Sequence, residues 1–181
     1  MTLSLVSAGN DGICPLTQAD LSRLQANQFE HDETNHREIA RLPVQKRITH
    51  MTLHFSKYVG RLFEGDDDQR TLVDVFVIAL SSANVLGVHL QPIEANALVR
   101  GDHCRNEFVS TVARAAGLMA AACEKLDHLE EYPYRSALSE AVKSISEAAQ
   151  FYAISKGWDL SKMVGTRLAG VRTKVFDPSK P

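Results

Sequence analysis

The segment from Leu72 to Val88 constrains the fold more than any other part of this chain. It is apolar nearly all the way round, Asp74 is its only formal charge, and no Gly or Pro interrupts it before Gly87. Its length and its freedom from breakers favour a helix over a buried strand. A helix that is apolar on every side has to be surrounded by other elements. The sequence therefore predicts a central buried helix covered by the rest of the fold.

Helical patterns flank this segment on both sides. Pro43 suits the first turn of a helix that runs to Glu64, and its apolar residues recur at steps of three and four. Thr17 is a suitable N-cap for an earlier helix, and Asp66 to Asp68 suit the start of the central one. Apolar residues Leu21, Leu24 and Phe29 are expected on one side of the earlier helix. Further helices are predicted over residues 92–99, 103–128, 136–155 and 160–174.

No stretch of the chain alternates in the way a half-buried strand does, so the predicted class is all-α. The expected architecture is a helical bundle of two related hairpins that form a four-helix core, with peripheral helices around it. Residues 1–16 are expected to be an irregular lead-in, residues 17–178 a single domain, and residues 179–181 a tail. Hairpins of this kind leave an apolar face, so a homo-oligomer, in the simplest case a homodimer, is expected.

The charge balance excludes some classes of protein. The 20 basic and 22 acidic residues give a net charge of −2, which argues against an extended nucleic-acid surface. Asp74 breaks the longest apolar run, and no segment reaches the roughly 20 apolar residues of a membrane span, so no membrane partner is expected. The three cysteines, Cys14, Cys104 and Cys123, lack metal-binding spacing and predict reduced thiols and a cytoplasmic location, with Cys123 in the core.

Two segments of the chain share a pattern. Each has a glycine inside a first helix (Gly60 and Gly117), then a polar turn, then a second helix that ends in Gly-x-x-Leu at Gly87 and Gly157. A glycine inside a helix costs about 1 kcal/mol, which predicts a close helix approach at both positions. The pattern is explained either by internal duplication or by the features that any two helical hairpins share.

The residues of these segments resemble a family. In the MazG-like members of the all-α nucleoside triphosphate pyrophosphohydrolases, a helix written E-x-x-D-V leads through an apolar run to L-G-[IV]-x-L. These two parts are similar to Leu72 to Val75 and to Leu86 to Leu90 of this chain. The family's preceding helix is similar to Val59 to Leu62 in the positions of its apolar residues. Gly157 to Leu160 and Phe176 to Pro178 resemble the tail of such proteins. The resemblance covers roughly residues 45–90 and 135–178.

The resemblance implies hydrolysis of a nucleoside triphosphate to a monophosphate and pyrophosphate. Four acids from two helices would hold Mg²⁺ for that reaction. The matching positions here are Lys57 or Tyr58, Arg61, Thr71 and Asp74, of which only Asp74 is an acid. Asp74 is therefore a candidate metal ligand, and Lys57 and Arg61 are candidate phosphate-binding residues. Mg²⁺ is expected as a cofactor if the protein is active, and no cofactor otherwise.

Asp74 has to be compensated if it is buried, because an unpaired carboxylate in an apolar surrounding costs several kcal/mol. The favoured hypothesis is an ion pair with Arg61, which an antiparallel hairpin places at the same level. A retained ligand or phosphate-site residue and a solvent-facing carboxylate are the alternatives.

His50 and His54 lie four residues apart on one helix, in line with Lys57 and Arg61. Two histidines at this spacing can share a transition metal, although no Glu completes an H-E-x-x-H motif. The alternative is that they are polar residues at the edge of a helix interface. Ser81 and Asn84 on the central helix are predicted to be their hydrogen-bond partners.

Other polar groups have mainly structural interpretations. The run from Glu30 to Glu38 is dense in possible ligands but is typical of a solvated helix face. Glu124, Asp127 and Glu140 are an alternative acidic cluster for a metal, with surface charge as the favoured interpretation.

Three functional hypotheses follow from the sequence. The first is a MazG-like protein that hydrolyses or binds nucleoside triphosphates through a degenerate metal site. The second is a non-catalytic helical module for nucleotide sensing or protein assembly. The third is a metal-binding bundle based on His50 and His54.

Overall fold

The computed structural model describes residues 15–93 and 103–172. Within those ranges every regular element is an α-helix, and the all-α prediction is confirmed. The helices are α1 (Gln18–Asn35), α2 (Arg37–Ala40), α3 (Val44–Glu64), α4 (Asp68–Leu86), α5 (His103–Asp127), α6 (Tyr134–Ser155) and α7 (Leu160–Arg172).

Four of these helices form the core. The hairpin of α3 and α4 lies against the hairpin of α5 and α6, so that α3 packs on α5 and α4 packs on α6. Helices α1 and α7 are peripheral; both pack on α4 and on each other, and the single turn α2 follows α1. This is the predicted arrangement of two hairpins with peripheral helices.

Helix α4 is the predicted central helix and contacts α1, α3, α6 and α7. Leu72, Val75, Phe76 and Leu80 on it are fully buried. Among the described residues, α4 alone is long and apolar enough to cross a membrane, with a mean hydropathy of 1.2. This is only weak support for a membrane span, because 61% of the apolar stretch is buried inside the bundle and the core helices of globular proteins can be equally long and apolar.

The helix ends agree with their sequence signals. Thr17 and Asp20 form a reciprocal capping box at the start of α1, and the Asp67 side chain accepts from the Arg70 amide at the start of α4. Gly87 ends α4 with φ 63°, and the Val88 amide donates to the Ala83 carbonyl at 2.9 Å. This left-handed ending favours glycine because other side chains rarely adopt it.

The two glycines inside helices do not mark close helix contacts, and that prediction is wrong. A Cβ atom built on Gly60 or on Gly117 would meet nothing within 4 Å. Both glycines face open space on the outer sides of α3 and α5, so neither is required by packing.

Asp68 joins the four core helices at one end of the bundle. Its carboxylate accepts from Arg105 Nε at 2.7 Å and Nη2 at 2.9 Å, and from the Tyr152 hydroxyl at 2.8 Å. Arg105 Nη2 also donates to the Leu62 carbonyl at 2.8 Å. Residues of α3, α4, α5 and α6 therefore share one hydrogen-bond network. The acids Asp66 to Asp68 were predicted only to stabilise the start of α4, and this network is a further role of Asp68.

Some predictions differ from the structure or lie outside it. Phe29 was expected on the buried side of α1 but is 52% exposed, because Gln25 and Gln28 occupy that side. Cys123 is buried, as expected. Four predictions lie wholly or partly outside the described residues: Cys14, the Cys104 side chain, Phe176 to Pro178, and the helix at 92–99, of which only Pro92 and Ile93 are described and are not helical.

Candidate functional site

A pocket of about 390 Å³ lies where α1, α2, α3, α4 and α7 meet. It brings together most of the candidate site residues, although Asn84 is not among them. The candidates that line it are Lys57, Arg61, Asp74, His50, His54 and Ser81.

The pocket is strongly basic, although the chain as a whole has a small negative charge. Of the residues that the structure describes, five cationic side chains and two carboxylates line it, which is an excess of three positive charges when the histidines are counted as neutral. Charges of one sign along a pocket concentrate ligands of the opposite sign. The cations are Arg47, Lys57, Arg61, Arg70 and Arg167, and the carboxylates are Asp32 and Asp74.

Asp74 is buried, with 5% of its surface exposed, and two guanidinium groups compensate its charge. Arg61 Nη1 lies 3.6 Å from Oδ2, which confirms the predicted ion pair. The shorter contact comes from Arg167 on α7, whose Nε donates to Oδ1 at 2.7 Å. Asp74 therefore holds an arginine on each side of it.

No local pattern in the sequence predicts the contact of Arg167 with Asp74. Arg167 lies 93 residues from Asp74, and its pattern predicts only a helix that ends the domain. The contact arises because α7 folds back onto α4 beside α1. The need of Asp74 for a positively charged partner does not by itself select Arg167 from the other arginines of the chain.

His54 and His50 form a chain of contacts with Lys57 along α3. His54 Nδ1 lies 3.1 Å from Lys57 Nζ, and His54 Nε2 lies 3.0 Å from His50 Nε2. Because an ammonium group only donates, His54 Nδ1 has to accept and its proton has to be on Nε2. His54 Nε2 then donates to His50 Nε2. The contacts thus assign a neutral tautomer to both rings.

The surroundings shift the pKa values of this chain. Burial, followed by the charge of Lys57 and the proximity of His50, lowers the pKa of His54 from 6.5 to about 4. Burial and the neighbouring Arg61 lower the pKa of Lys57. Burial, followed by the charge of Asp74, raises the pKa of Tyr58 to about 12, so its hydroxyl remains protonated. At neutral pH His54 is therefore neutral and able to accept a hydrogen bond.

Ser81 and Asn84 do not bond to the histidines, and that prediction is wrong. The Ser81 hydroxyl donates to Asp32 Oδ2 at 2.5 Å and accepts from Gln28 Nε2 at 3.0 Å. Asn84 Nδ2 donates to the Gln25 carbonyl at 2.9 Å. The reason is that α1 packs directly on α4, so its side chains bond to these two residues.

The charged run of α1 is only partly a solvated face. Glu30 and Glu33 are exposed as expected, but His31 is 3% exposed and lines the pocket together with Asp32 and His36. Helix α1 thus supplies polar groups to the pocket as well as to solvent.

The two carboxylates that line the described part of this pocket do not fit a protein-held Mg²⁺ ion. Both oxygens of Asp74 face guanidinium groups, and those of Asp32 accept from Gln28 and Ser81. Hard cations need several carboxylate or carbonyl ligands, and two carboxylates already paired with donors do not supply them.

The same conclusion applies to the other metal sites considered. Over residues 15–93 and 103–172, no three His, Cys, Asp or Glu side chains are grouped so as to hold a metal ion. This includes the acids Glu124, Asp127 and Glu140, and Asp127 accepts a hydrogen bond from Gln45 Nε2 at 2.6 Å. His50 and His54 lack a third ligand of these types, and the surrounding cations would repel a metal ion.

The chain matches no family model, no curated protein and no solved structure among those compared. The MazG-like resemblance therefore rests on the residues quoted for it and remains an expectation.

The arrangement is chemically suited to binding an anion. Arginine forks match the oxygens of a phosphate group, and several of the guanidinium and ammonium N–H groups in the pocket have no partner among the described residues.

Proposed function

We propose that the pocket binds a phosphorylated small molecule, specifically a nucleotide, and that the chain is a non-catalytic relative of the MazG-like bundles that senses this ligand. The observation that supports the proposal is the excess of three positive charges around a pocket whose two carboxylates are both already bonded. An anionic ligand would neutralise this excess.

The phosphate end of the site contains two arginines that Asp74 holds in place, Arg61 and Arg167. Asp74 bonds to Arg167 through Nε, so both η nitrogens of Arg167 remain without a partner among the described residues. Arg70 likewise has no ion pair there, and Lys57 lies on the same side of α3 as Arg61. A phosphate would accept from these donors, and the geometry that Asp74 fixes for Arg61 and Arg167 lowers the entropy lost on binding.

The opposite end of the pocket supports a nucleotide over inorganic phosphate. Asp74 and Ser81 are seven residues apart on α4, which corresponds to about 10 Å along the helix. Val77 and Ile78 lie between these levels on α4 and line the pocket, as does Met51 of α3, and Ser81 lies in a polar group with Asp32. A ligand with phosphates at one end and a base at the other matches this order of surfaces.

Hydrolysis is the weaker alternative. Since the two carboxylates that line the described part of this pocket do not fit Mg²⁺, a pyrophosphohydrolase would have to depend on the ion that arrives with the nucleotide. The third hypothesis, a metal site on His50 and His54, is disfavoured by the same cations that favour a phosphate.

Calorimetric titration with ATP, GTP, CTP, UTP and pyrophosphate, in EDTA and in Mg²⁺, tests the proposal. We expect binding of at least one nucleotide in EDTA, weakened about tenfold or more by Arg167→Gln or Arg61→Gln, since a charged hydrogen bond contributes roughly 1.5–3 kcal/mol. Arg114→Gln is the matched control, because Arg114 is exposed on α5 and away from the pocket.

Two results would contradict the proposal. Absence of binding by every nucleotide would exclude a nucleotide site. Binding that requires Mg²⁺ and is accompanied by release of pyrophosphate would instead establish the catalytic alternative.

A further inference from the structure

A second pocket, of about 500 Å³, opens at the end of the four-helix core opposite Asp68. All four core helices contribute to it: the start of α3, the end of α4, the last turns of α5 and the start of α6. It shares no lining residue with the basic pocket. Its apolar walls include Ile48, Val85, Leu86, Ala122, Leu126 and Leu138.

The walls of this pocket belong to the core, while its polar rim is largely bonded elsewhere. Ile48, Ala122 and Leu138 are 2%, 1% and 6% exposed. Gln45 donates to Asp127, and the Tyr134 hydroxyl donates to the Glu130 carbonyl. These two rim side chains therefore already have partners.

Arg135 is the exception, and among the described residues it is the only charged one that lines this pocket. Its Nη2 lies 3.6 Å from the position that a Cβ atom on Gly87 would take, so the guanidinium lies over the end of α4. No ion pair or hydrogen bond joins Arg135 to another described residue. The pocket thus combines an apolar interior with one cation at its edge whose donors are available.

We propose that this pocket binds a small amphipathic carboxylate, with a medium-chain fatty acid as the model ligand. Its hydrocarbon chain lies between the core helices, and its carboxylate accepts from Arg135. Volumes of this size and apolar walls with one placed polar group are typical of small-molecule sites. The single cation suits one carboxylate, whereas the several phosphates of a nucleotide suit the basic pocket. Each methylene buried strengthens binding by about fourfold.

Cys123 provides a supporting readout of occupancy. It is 8% exposed and lines this pocket, but it also lines a neighbouring pocket of about 290 Å³, where Thr52 Oγ1 lies 3.8 Å from its Sγ. A ligand in the apolar pocket would therefore restrict access to Cys123 from one of two sides. Peptide mass spectrometry after maleimide treatment measures labelling at Cys123 separately from labelling at Cys14 and Cys104.

The experiment uses the full chain with decanoate, octanoate and decanol. We expect decanoate to bind in calorimetry, about tenfold or more tightly than octanoate, and to slow the labelling of Cys123. Arg135→Gln should weaken decanoate about tenfold and leave decanol unchanged, while Arg114→Gln, also an exposed arginine, should change neither. Ala122→Leu, if circular dichroism shows it folded, should abolish binding by filling the pocket.

Two results would overturn the proposal. Equally tight binding of decanoate to the parent and to the Arg135→Gln variant would place the ligand elsewhere. Undiminished binding of decanoate to a folded Ala122→Leu variant would likewise place the ligand outside this pocket.

Discussion

Arg167 on α7 donates through Nε to Oδ1 of Asp74, the buried carboxylate of α4, at 2.7 Å. This bond fixes a peripheral helix to the central one. It also orients a guanidinium group at the edge of the basic pocket. One contact thus links the stability of the bundle to the geometry of the candidate site.

Removing Arg167 should destabilise the fold. In Arg167→Ala the buried carboxylate of Asp74 keeps only the longer contact to Arg61, so we expect the free energy of unfolding to fall by about 2–3 kcal/mol. Urea denaturation followed by circular dichroism measures the change. Arg114→Ala should stay within about 0.5 kcal/mol of the parent. Equal small effects in both variants would show that Asp74 does not depend on Arg167.

Asp68→Asn should weaken the network that joins the four core helices. The substitution keeps the size of the side chain but removes the charge that accepts two hydrogen bonds from Arg105. We expect a loss of about 2 kcal/mol in urea denaturation. Glu107→Gln, on the exposed side of α5, is the control and should have little effect. A neutral result for Asp68→Asn would contradict the structural role of this network.

Gly60→Ala and Gly117→Ala should each stabilise the protein by about 0.5–1 kcal/mol. Both glycines are inside helices and face open space, so alanine improves helix propensity without a clash. Thermal unfolding of the single and double variants should show roughly additive gains. Gly65→Ala is the contrasting control, because φ 75° at that position strains any other residue. Destabilisation by Gly60→Ala would indicate a contact on that face, for example with a partner subunit.

Acidification between pH 6.5 and 4 should destabilise the protein through His54. Its pKa is about 4 in the folded state against 6.5 ordinarily, so in this window the unfolded chain binds a proton that the folded one does not. Stability is therefore retained above pH 6.5 and lost as the pH falls towards 4. Because the ring is only half-buried and solvent screens part of its interactions, we expect about 1–2 kcal/mol.

Comparison of the parent with His54→Gln isolates this contribution. The variant should lose stability less steeply between pH 6.5 and 4 in urea denaturation at a series of pH values. An anionic ligand in the basic pocket should favour the protonated ring and shift the pKa of His54 upwards, which the NMR titration of its ring protons would measure. Parallel pH profiles for the two proteins would show that another group is responsible.

Much of the fold could be predicted because its signals are local. The apolar circumference of Leu72 to Val88 predicts a buried helix, and Thr17, Asp67 and Gly87 mark helix ends through bonds to neighbouring backbone. Each of these depends only on residues a few positions away along the chain. Because the central helix is apolar on every side, other helices have to cover it, and two packed hairpins provide that cover.

The candidate site could be predicted only in part. The sequence identified Asp74 as a carboxylate that needs a partner, and Arg61 as one on the adjacent helix. It did not predict Arg167, nor that Gln28 and Asp32 would bond to Ser81, because α7 and α1 reach α4 from distant parts of the chain. A peripheral helix carries several exposed polar side chains of similar type. Its sequence alone therefore does not show which of them contacts the central helix.

The sequence by itself determined that this chain is helical and that one apolar helix, interrupted by the single charge of Asp74, lies at its centre. Periodicity and capping decide these features, because they act over one or two turns. The tertiary structure decided which groups surround that carboxylate and gathered five cations into one pocket of a chain that is slightly acidic overall. Charges distant in sequence affect each other only once packing brings them within a few ångströms, where burial makes their interaction strong.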